Sequence, residues 1–292
     1  MNIKHFKNKE IDVNRWNEAI SQSINQLTYA FSWYLDIVSP DWEALIGDDY
    51  TYVMPLTVKT RYKIPYLVQP LITQQLGIFS KNHITENVVE EFIKEIPYFS
   101  YEINLNEKNF YSKSEIYPNF ILDLSHSYDY IYSGFSKNIQ RNIEKSEKLN
   151  LNVEDNLSSF DYISFYFSVD KYYLSPQQPF LQKLIEKGIS NNALNIFGVK
   201  AIDNELIAGL CILKSKNRLT YFLPVSNTKG KNFFAMFYLI NYIIKKYAET
   251  DLVLDFEGST LEGIARLYRG FGAKLHPYFI LKRFRPSFLV RK

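Results

Sequence analysis

Residues 251–282, with the sequence DLVLDFEGSTLEGIARLYRGFGAKLHPYFILK, contain the order of elements on which the prediction of the fold depends. An apolar run at 252–256 predicts a β-strand. This strand ends in an acidic corner that holds Asp255 and Glu257. The apolar residues from 260 to 269 recur at helical spacing, so a helix is expected directly after the corner.

Glycine and proline define the end of the quoted stretch. Gly270, with a second glycine two positions later, stops the predicted helix because glycine readily adopts the backbone conformation that ends helices. Residues 273–282 predict a second strand, which Pro277 interrupts. The predicted order is therefore strand, acidic corner, helix and strand.

Upstream of this stretch, the sequence predicts a three-stranded antiparallel meander, the clearest β pattern in the chain. One long basic helix, 128–149, comes before it. From Leu151 to the quoted stretch, the predicted elements are strand 151–153, helices 160–172 and 180–189, strands 193–202, 205–214 and 218–225, and helix 231–247.

The first part of the chain predicts a looser version of the same order. Its predicted elements are helix 10–25, strands 31–35, 42–46, 52–59 and 66–79, helix 85–96, and strands 98–105 and 119–124. We therefore expect two domains in tandem, 1–124 and 125–292. Their similarity is one of element order and not of sequence.

The ending of the chain resembles that of GCN5-related N-acetyltransferases (GNAT), in which a strand, a carboxylate corner, a helix and an FGAK-type strand follow one another. The version DFEGS…GIARLYRGFGA is most similar to the bacterial FemABX aminoacyltransferases. The resemblance implies an α/β fold with a mixed sheet, the acyl-CoA N-acyltransferase (GNAT-like) fold. It also implies a degenerate N-terminal domain and a C-terminal domain that holds the donor groove.

The composition is that of a folded protein. Hydrophobic residues make up 46% of the 292 residues, and Tyr (23) and Phe (22) are numerous, which excludes global disorder. The net charge of +3 permits an anionic ligand but is far below that of a dedicated nucleic-acid binder. Because the sequence shows neither a signal-peptide pattern nor a run of about 20 apolar residues, we expect a cytoplasmic protein.

Neither a disulfide nor a metal site is expected. The single cysteine, Cys211, lies in an apolar run and predicts a buried, inert thiol. His5, His83, His126 and His276 are scattered in turns or near the termini, so the sequence favours neither a metal centre nor a histidine-based triad.

The resemblance implies that the acyl donor binds between two strands that part in the middle of the sheet. Its pyrophosphate would rest on the turn before helix 231–247, where backbone N–H groups and the helix dipole stabilise negative charge. The predicted donor contacts are Ser226, Asn227, Thr228, Lys229, Gly230 and Lys231. Because only one glycine is present in this turn, a solvated polar turn is the alternative interpretation.

The acidic corner is the predicted catalytic centre. Asp255 and Glu257 alternate with Phe256, so in a continuous strand both carboxylates would lie on one face. They can act as a general base for an amine or bind its ammonium group. The alternative is structural, because carboxylates near a helix start cap it and pair with basic residues such as Arg266 or Arg269.

A basic stripe on helix 128–149 is a further candidate site. Lys137 and Arg141 lead a row of cations at helical spacing, in a segment similar to one of the FemABX proteins. The stripe can bind a phosphate of a nucleotide-linked acceptor or of tRNA, with bidentate contact from arginine. A solvated helix face is the alternative.

The remaining predicted substrate contacts are the amides of Gln69 and Gln74 and the phenols of Tyr173 and Tyr268. The two glutamines lie in a strand that Pro70 marks as an edge or a bulge. A bulged structural edge is the alternative explanation for their amides.

Together these features predict an N-acyltransferase. The donor would be acyl-CoA or aminoacyl-tRNA, with no permanently bound cofactor, and the acceptor an amine that is a small molecule or is linked to cell wall or lipid. The alternative is a ligand-binding protein that retains the GNAT fold without catalysis.

Overall fold

The computed structural model describes residues 1–169 and 178–283. The chain forms two compact units, one of Met1–Pro118 with the segment that begins at His276, and one of Asn119–Leu275. The sequence instead placed a boundary between residues 124 and 125 and left the C-terminus in the second domain. Two strands account for the difference, because Phe120–Asp123 pairs within the second unit and Tyr278–Arg283 within the first.

The strands are β1 Ile3–Phe6, β2 Glu43–Gly47, β3 Tyr52–Leu56, β4 Val58–Arg61, β5 Ile64–Val68, β6 Phe79–Ser80, β7 Tyr101–Leu105, β8 Glu115–Tyr117, β9 Phe120–Asp123, β10 Asn152–Glu154, β11 Leu194–Lys200, β12 Leu206–Lys214, β13 Arg218–Ser226, β14 Val253–Asp255, β15 Lys274–Leu275 and β16 Tyr278–Arg283. The helices are α1 Val13–Gln22, α2 Ser32–Val38, α3 Glu86–Lys94, α4 Tyr128–Ser133, α5 Lys137–Glu147, α6 Ser159–Ser168, α7 Gln178–Ser190, α8 Thr228–Asn232, α9 Ala235–Tyr247 and α10 Glu262–Gly270. Two short 3-10 helices lie at Asn8–Glu10 and Thr28–Ala30.

The first unit contains two sheets. Their strand orders are β1-β2-β3-β6 and β4-β5-β7-β16-β8. The pair of β5 with β7 is parallel, and the other strand pairs are antiparallel. A buried apolar cluster that includes Leu45, Phe92, Leu105 and Leu281 draws on both sheets and on α3.

The second unit is built on one seven-stranded sheet of order β10-β11-β12-β13-β14-β9-β15. Its named strand pairs are antiparallel except for β13 and β14, which run parallel. The predicted meander of three strands is confirmed as β11, β12 and β13. A core of buried residues from this sheet and from α5, α9 and α10 includes Leu210, Ile240 and Phe256.

Several predicted elements are wrong in detail. Residues 31–35, predicted as a strand, belong largely to α2. The long helix expected over 128–149 is two helices, because the chain turns at Gly134 and the Ser136 hydroxyl caps α5. Helix α9 begins only at Ala235, after Phe234 adopts a left-handed φ of 54°.

Glu43, on β2, is the centre of a charged cluster in the first unit. It is only 7% exposed. Its carboxylate accepts hydrogen bonds from Lys7 at 2.7 Å and from the Tyr98 hydroxyl at 2.6 Å, and lies 2.5 Å from His5 Nε2. Burial acts to raise the pKa of Glu43, but the hydrogen bonds from Lys7, Tyr98 and His5 outweigh it and lower the pKa.

Replacing Glu43 with glutamine should destabilise the protein by about 1–3 kcal/mol at pH 7, because hydrogen bonds to a charged acceptor are lost. The pKa of Glu43 is lower in the folded than in the unfolded state, so its contribution is present above the unfolded pKa. That contribution is lost as the pH falls through the folded pKa. Denaturant unfolding from pH 7 to pH 3 should therefore show a smaller pH dependence for the variant than for the wild type. An identical pH dependence would contradict this assignment.

Candidate functional site

The two parallel strands of the second unit part soon after they begin to pair. The pairing of β13 with β14 runs from Arg218–Val253 to Thr220–Asp255. Strand β13 then continues to Ser226 beside β12 alone. Beyond Asp255 the chain stays with β9, because the Phe256 N–H donates to the Phe120 carbonyl at 2.9 Å. Among the residues that the structure describes, one edge of β13 beyond Thr220 therefore has no strand partner, as expected for a donor groove.

Asp255 lies at the end of β14 and is 2% exposed. One carboxylate oxygen accepts a hydrogen bond from Arg218 Nη1 at 2.7 Å, and the other accepts the Glu257 N–H at 2.8 Å. Both oxygens are thus occupied within the protein. Because the carboxylate is buried and paired with Arg218, this geometry favours a structural role for Asp255 over the predicted role as a base. Arg218 was not among the predicted site residues; its one signal in the sequence is a lone arginine at the start of a mostly apolar strand.

Glu257 is partly exposed and has a left-handed φ of 58°. Because the strand stops at Asp255, the expected alternation does not extend to Glu257, and the prediction of a shared face for the two carboxylates is wrong. A left-handed backbone at a non-glycine residue costs about 1–2 kcal/mol. Such strain is found at functional sites more often than elsewhere.

The structural alternative for the acidic corner is also only partly correct. Helix α10 begins at Glu262, and its N-terminal cap, Leu261, offers no side-chain hydrogen bond. The Ser259 hydroxyl accepts the Leu261 N–H at 3.1 Å. Arg269 pairs with Glu262 of its own helix and not with the corner.

Tyr268 lies on α10 and faces the acidic corner. Its ring stacks on that of Phe256, with centroids 4.8 Å apart, and lies 6.1 Å from the ring of Tyr221. Burial, followed by the charges of Glu257 and Asp255, raises the pKa of Tyr268 to about 12. The phenol is therefore neutral at any ordinary assay pH and can donate a hydrogen bond.

The predicted donor loop has several internal contacts. The Asn227 side chain caps α8 by accepting the Gly230 N–H at 2.8 Å, and Lys229 pairs with Glu205 at 2.8 Å and also with Asp203. A side chain at Gly230 would place its Cβ only 2.1 Å from the Ile207 carbonyl oxygen, so close packing requires this glycine.

The other predicted donor contacts differ in their surroundings. The Ser226 hydroxyl donates to the Ile207 carbonyl at 3.3 Å. Thr228 and Lys231 are exposed. Within residues 1–169 and 178–283, Lys231 has no ion pair, so it is the cation of this loop best placed for an anionic ligand.

The basic stripe lies on the exposed side of α5. Lys137, Arg141 and Lys145 are exposed, whereas the opposite face of the helix, which includes Ile139 and Ile143, is buried. Arg141 donates to the Asn138 side chain at 2.8 Å, and Lys145 lies 5.3 Å from the centre of the Phe234 ring. No acidic side chain of the described residues forms a salt bridge with these three cations.

The two predicted glutamines form hydrogen bonds within the first unit, Gln69 to the backbone and Gln74 to a neighbouring side chain. The Gln69 side chain accepts the Asn104 N–H at 3.0 Å and donates to the Thr73 carbonyl at 2.9 Å. The Gln74 side chain accepts a hydrogen bond from Gln75 at 2.8 Å. This geometry favours the bulged structural edge over substrate binding. Tyr173 lies outside the described residues.

The corresponding strands of the first unit do not leave an open edge. Strands β5 and β7 pair in parallel at Leu67–Tyr101 and Val68–Glu102. The Gln69 amide then bridges to Asn104, and the Leu76 N–H donates to the Asn104 carbonyl at 3.0 Å. The backbone of β7 is thus bonded along its whole length, so of the two units the second is the one with a gap between parallel strands.

No helix of the described residues is long and apolar enough to span a bilayer. No protein-family model matches the sequence, and no curated protein matches it either. Solved structures do match. The crystal structure of FemX superimposes with a TM-score of 0.66 at 10% identity, over 96% of this chain and 97% of FemX.

Two other solved structures also superimpose on this chain over nearly its whole length. The C-terminal domain of a putative lysylphosphatidylglycerol synthetase from Agrobacterium fabrum has a TM-score of 0.56 at 10% identity, over 95% of this chain and 92% of that domain. A tandem GNAT protein from the clavulanic acid biosynthesis pathway has a TM-score of 0.54 at 8% identity, over 98% of this chain and all (100%) of that one. The fold expected from the resemblance is confirmed, and the chain has the FemABX-like, GNAT-related fold with tandem domains.

Proposed function

We propose that the protein is an acyltransferase that moves an acyl group from acyl-CoA or aminoacyl-tRNA to an amine acceptor, with the donor in the groove of the second unit. The observation that carries the proposal is the difference between the two units. Parallel strands part in both, but within residues 1–169 and 178–283 a strand edge is left without a strand partner only in the second. The fold that the chain shares with FemX and a tandem GNAT protein supports the same class of reaction.

Direct transfer fits the side chains around the gap. The amine nitrogen attacks the carbonyl carbon of the donor, a C–N bond forms, and the C–S or C–O bond to the leaving group breaks. Glu257 would take the proton that the amine loses, directly or through water. Tyr268 would donate a hydrogen bond to the leaving sulfur or oxygen, and its neutral phenol suits that role. Asp255 would fix the backbone conformation of the acidic corner by accepting hydrogen bonds from Arg218 and from the Glu257 N–H.

Exposed cations of the second unit suit a donor that carries phosphate. Lys231 on the donor loop and Lys137 and Arg141 on α5 are exposed. A CoA donor would engage Lys231 at its pyrophosphate, whereas aminoacyl-tRNA would also place backbone phosphates on the α5 stripe. Charge reversal of Lys137 and Arg141 together should weaken binding of tRNA and leave that of CoA nearly unchanged.

Donor binding is the first test. Acetyl-CoA or aminoacyl-tRNA at 100 times its Kd should stabilise the protein by about 2.7 kcal/mol, which raises the Tm by a few degrees. Thermal unfolding with and without each donor measures this shift, and adenosine monophosphate serves as the control ligand. If neither donor shifts the Tm, the proposed function is contradicted.

Replacing Glu257 with glutamine should lower turnover by about 10²–10⁴-fold while donor binding is retained, because a general base is lost and the backbone turn is kept. Turnover is measured as release of free CoA or tRNA in the presence of an amine. The matched control is Glu186→Gln on α7, an exposed residue that pairs with Gln182. Full activity of Glu257→Gln would exclude this carboxylate as the base.

A second candidate is a ligand-binding protein without catalysis. The pairing of Lys229 with Asp203 and Glu205, and the use of the Gly230 N–H by Asn227, favour it because they reduce the groups free to hold a pyrophosphate. Donor binding without turnover for any amine would favour this candidate over the enzyme.

A further inference from the structure

Strand β13 has a bulge a short distance beyond the point where β14 leaves it. Against β12, Gly209 pairs with Val225 and Cys211 with Phe222, so Leu223 and Pro224 oppose the single residue Leu210. Two residues facing one define a β-bulge, which turns the strand locally. Leu223 carries the bulge with a left-handed φ of 51°.

Tyr162 of α6 bonds to this bulge. Its side chain is 0% exposed, and its hydroxyl donates a hydrogen bond to the Leu223 carbonyl. The ring lies against Gly209, where an added Cβ would come within 3.0 Å of it. Burial raises the pKa of the Tyr162 phenol well above its ordinary value, so the hydroxyl keeps its proton and remains a donor.

The first unit contains a similar bond. Its tyrosine comes from α2, the helix directly before β2, whereas α7 lies between α6 and β11 in the second unit. Tyr34 of α2 is 0% exposed, and its hydroxyl donates to the Ile72 carbonyl at 2.5 Å. Ile72 also has a left-handed φ, 53°. In each unit, a buried tyrosine from a helix that precedes the unit's hairpin or meander holds the carbonyl of a left-handed residue, in the segment that parts from a parallel strand. The two tyrosines come from helices at different places in the element order but bind the same kind of backbone group.

The bond affects which backbone groups the gap presents. Along a strand, N–H and C=O groups point alternately to the two sides. A carbonyl that is held toward α6 does not point into the gap, so the open edge of β13 loses an acceptor next to Leu223. Acyl carbonyl and phosphate oxygens need N–H donors, and a nearby carbonyl oxygen would repel them.

We propose that Tyr162 is a positioning residue of the donor site, which fixes the bulge of β13 so that its open edge accepts the acyl donor. This inference rests on the proposed function. Tyr34 has the same bond in the unit whose gap is closed, so it should affect stability alone.

The experiment compares Tyr162→Phe, Tyr34→Phe and the wild type. Each variant deletes one hydroxyl and keeps the ring, so both should fold. Amide hydrogen exchange of Leu223, Val225 and Ser226 should become faster in Tyr162→Phe and stay unchanged in Tyr34→Phe; Pro224 between them has no amide hydrogen. With the donor that binds the wild type, Tyr162→Phe should lower kcat/KM by about 10²-fold, as expected when a reacting group is misplaced by about 1 Å. Tyr34→Phe should lower it less than twofold.

Different outcomes would contradict the positioning role and the proposed function. Wild-type kinetics and exchange in Tyr162→Phe would overturn the positioning role while the proposed function stands. Equal loss of kcat/KM in both variants would also overturn it, because it would reveal a general effect of stability. A wild-type protein that binds neither acetyl-CoA nor aminoacyl-tRNA would contradict the proposed function, and the positioning role with it.

Discussion

Replacing Asp255 with alanine should destabilise the protein by about 3–5 kcal/mol, because the change leaves the Arg218 guanidinium buried without its carboxylate. The side chains of this pair are 9% and 3% exposed, and the two atoms that join them are 2.7 Å apart. The change also removes the acceptor of the Glu257 N–H. Equilibrium unfolding in urea measures the free energy directly.

The control for this prediction is Asp251→Ala, four residues earlier at an exposed position. Exposed substitutions of this kind usually change stability by less than about 0.5 kcal/mol. If Asp255→Ala were as stable as the control, the pair with Arg218 would not be a buried structural contact. Asp255 would then return as a candidate for the catalytic base.

Replacing Leu281 with aspartate should unfold the first unit or destabilise it by about 3–5 kcal/mol, because the change buries an unpaired carboxylate. Leu281 is 4% exposed and belongs to the apolar cluster of Leu45, Phe92 and Leu105. It pairs with Ile103 of β7. Amide hydrogen exchange, resolved by segment, should show lost protection in β2, β3 and β7 and retained protection in β11, β12 and β13.

This result separates two assignments of the C-terminal strand. A domain that spans 125–292, as expected from the sequence, would instead lose protection in β11 to β13. The matched control is Lys282→Gln, because its exposed side chain makes surface contacts, a salt bridge with Glu115 and a cation–π contact with Tyr117. Such a pair contributes about 0–1 kcal/mol.

The part of the fold that the sequence predicts well is the part with strong local signals. Mostly apolar runs in the nine-residue strands β12 and β13, with polar turns beside them, predict the meander without help from distant contacts. The acidic corner followed by an amphipathic helix is likewise local. Such local signals are enough to predict the fold class, because the fold class follows from the order of helices and strands along the chain.

The failures come from contacts between residues distant in sequence. Nothing in the run from 273 to 282 indicates that Leu275 and Tyr278 pair in different sheets. The alternation of Asp255 and Glu257 predicts a shared face, but the hydrogen bond between the Asp255 carboxylate and the Glu257 N–H turns the backbone first. The tyrosine bonds to Leu223 and Ile72 span 61 and 38 positions, so no local pattern reveals them.

Because β16 follows the whole second unit in sequence and completes a sheet of the first unit, the order of synthesis has a consequence for the nascent chain. The edge of β7 that β16 covers emerges from the ribosome long before its partner. At a rate of synthesis of about 5–20 residues per second, that edge stays unpaired for on the order of 10–30 s, while the whole of Asn119–Leu275 is translated and can fold. An unpaired strand edge is a template for aggregation during that interval. We therefore expect the yield of native protein in the cell to depend on chaperones that bind nascent chains more than its equilibrium stability suggests.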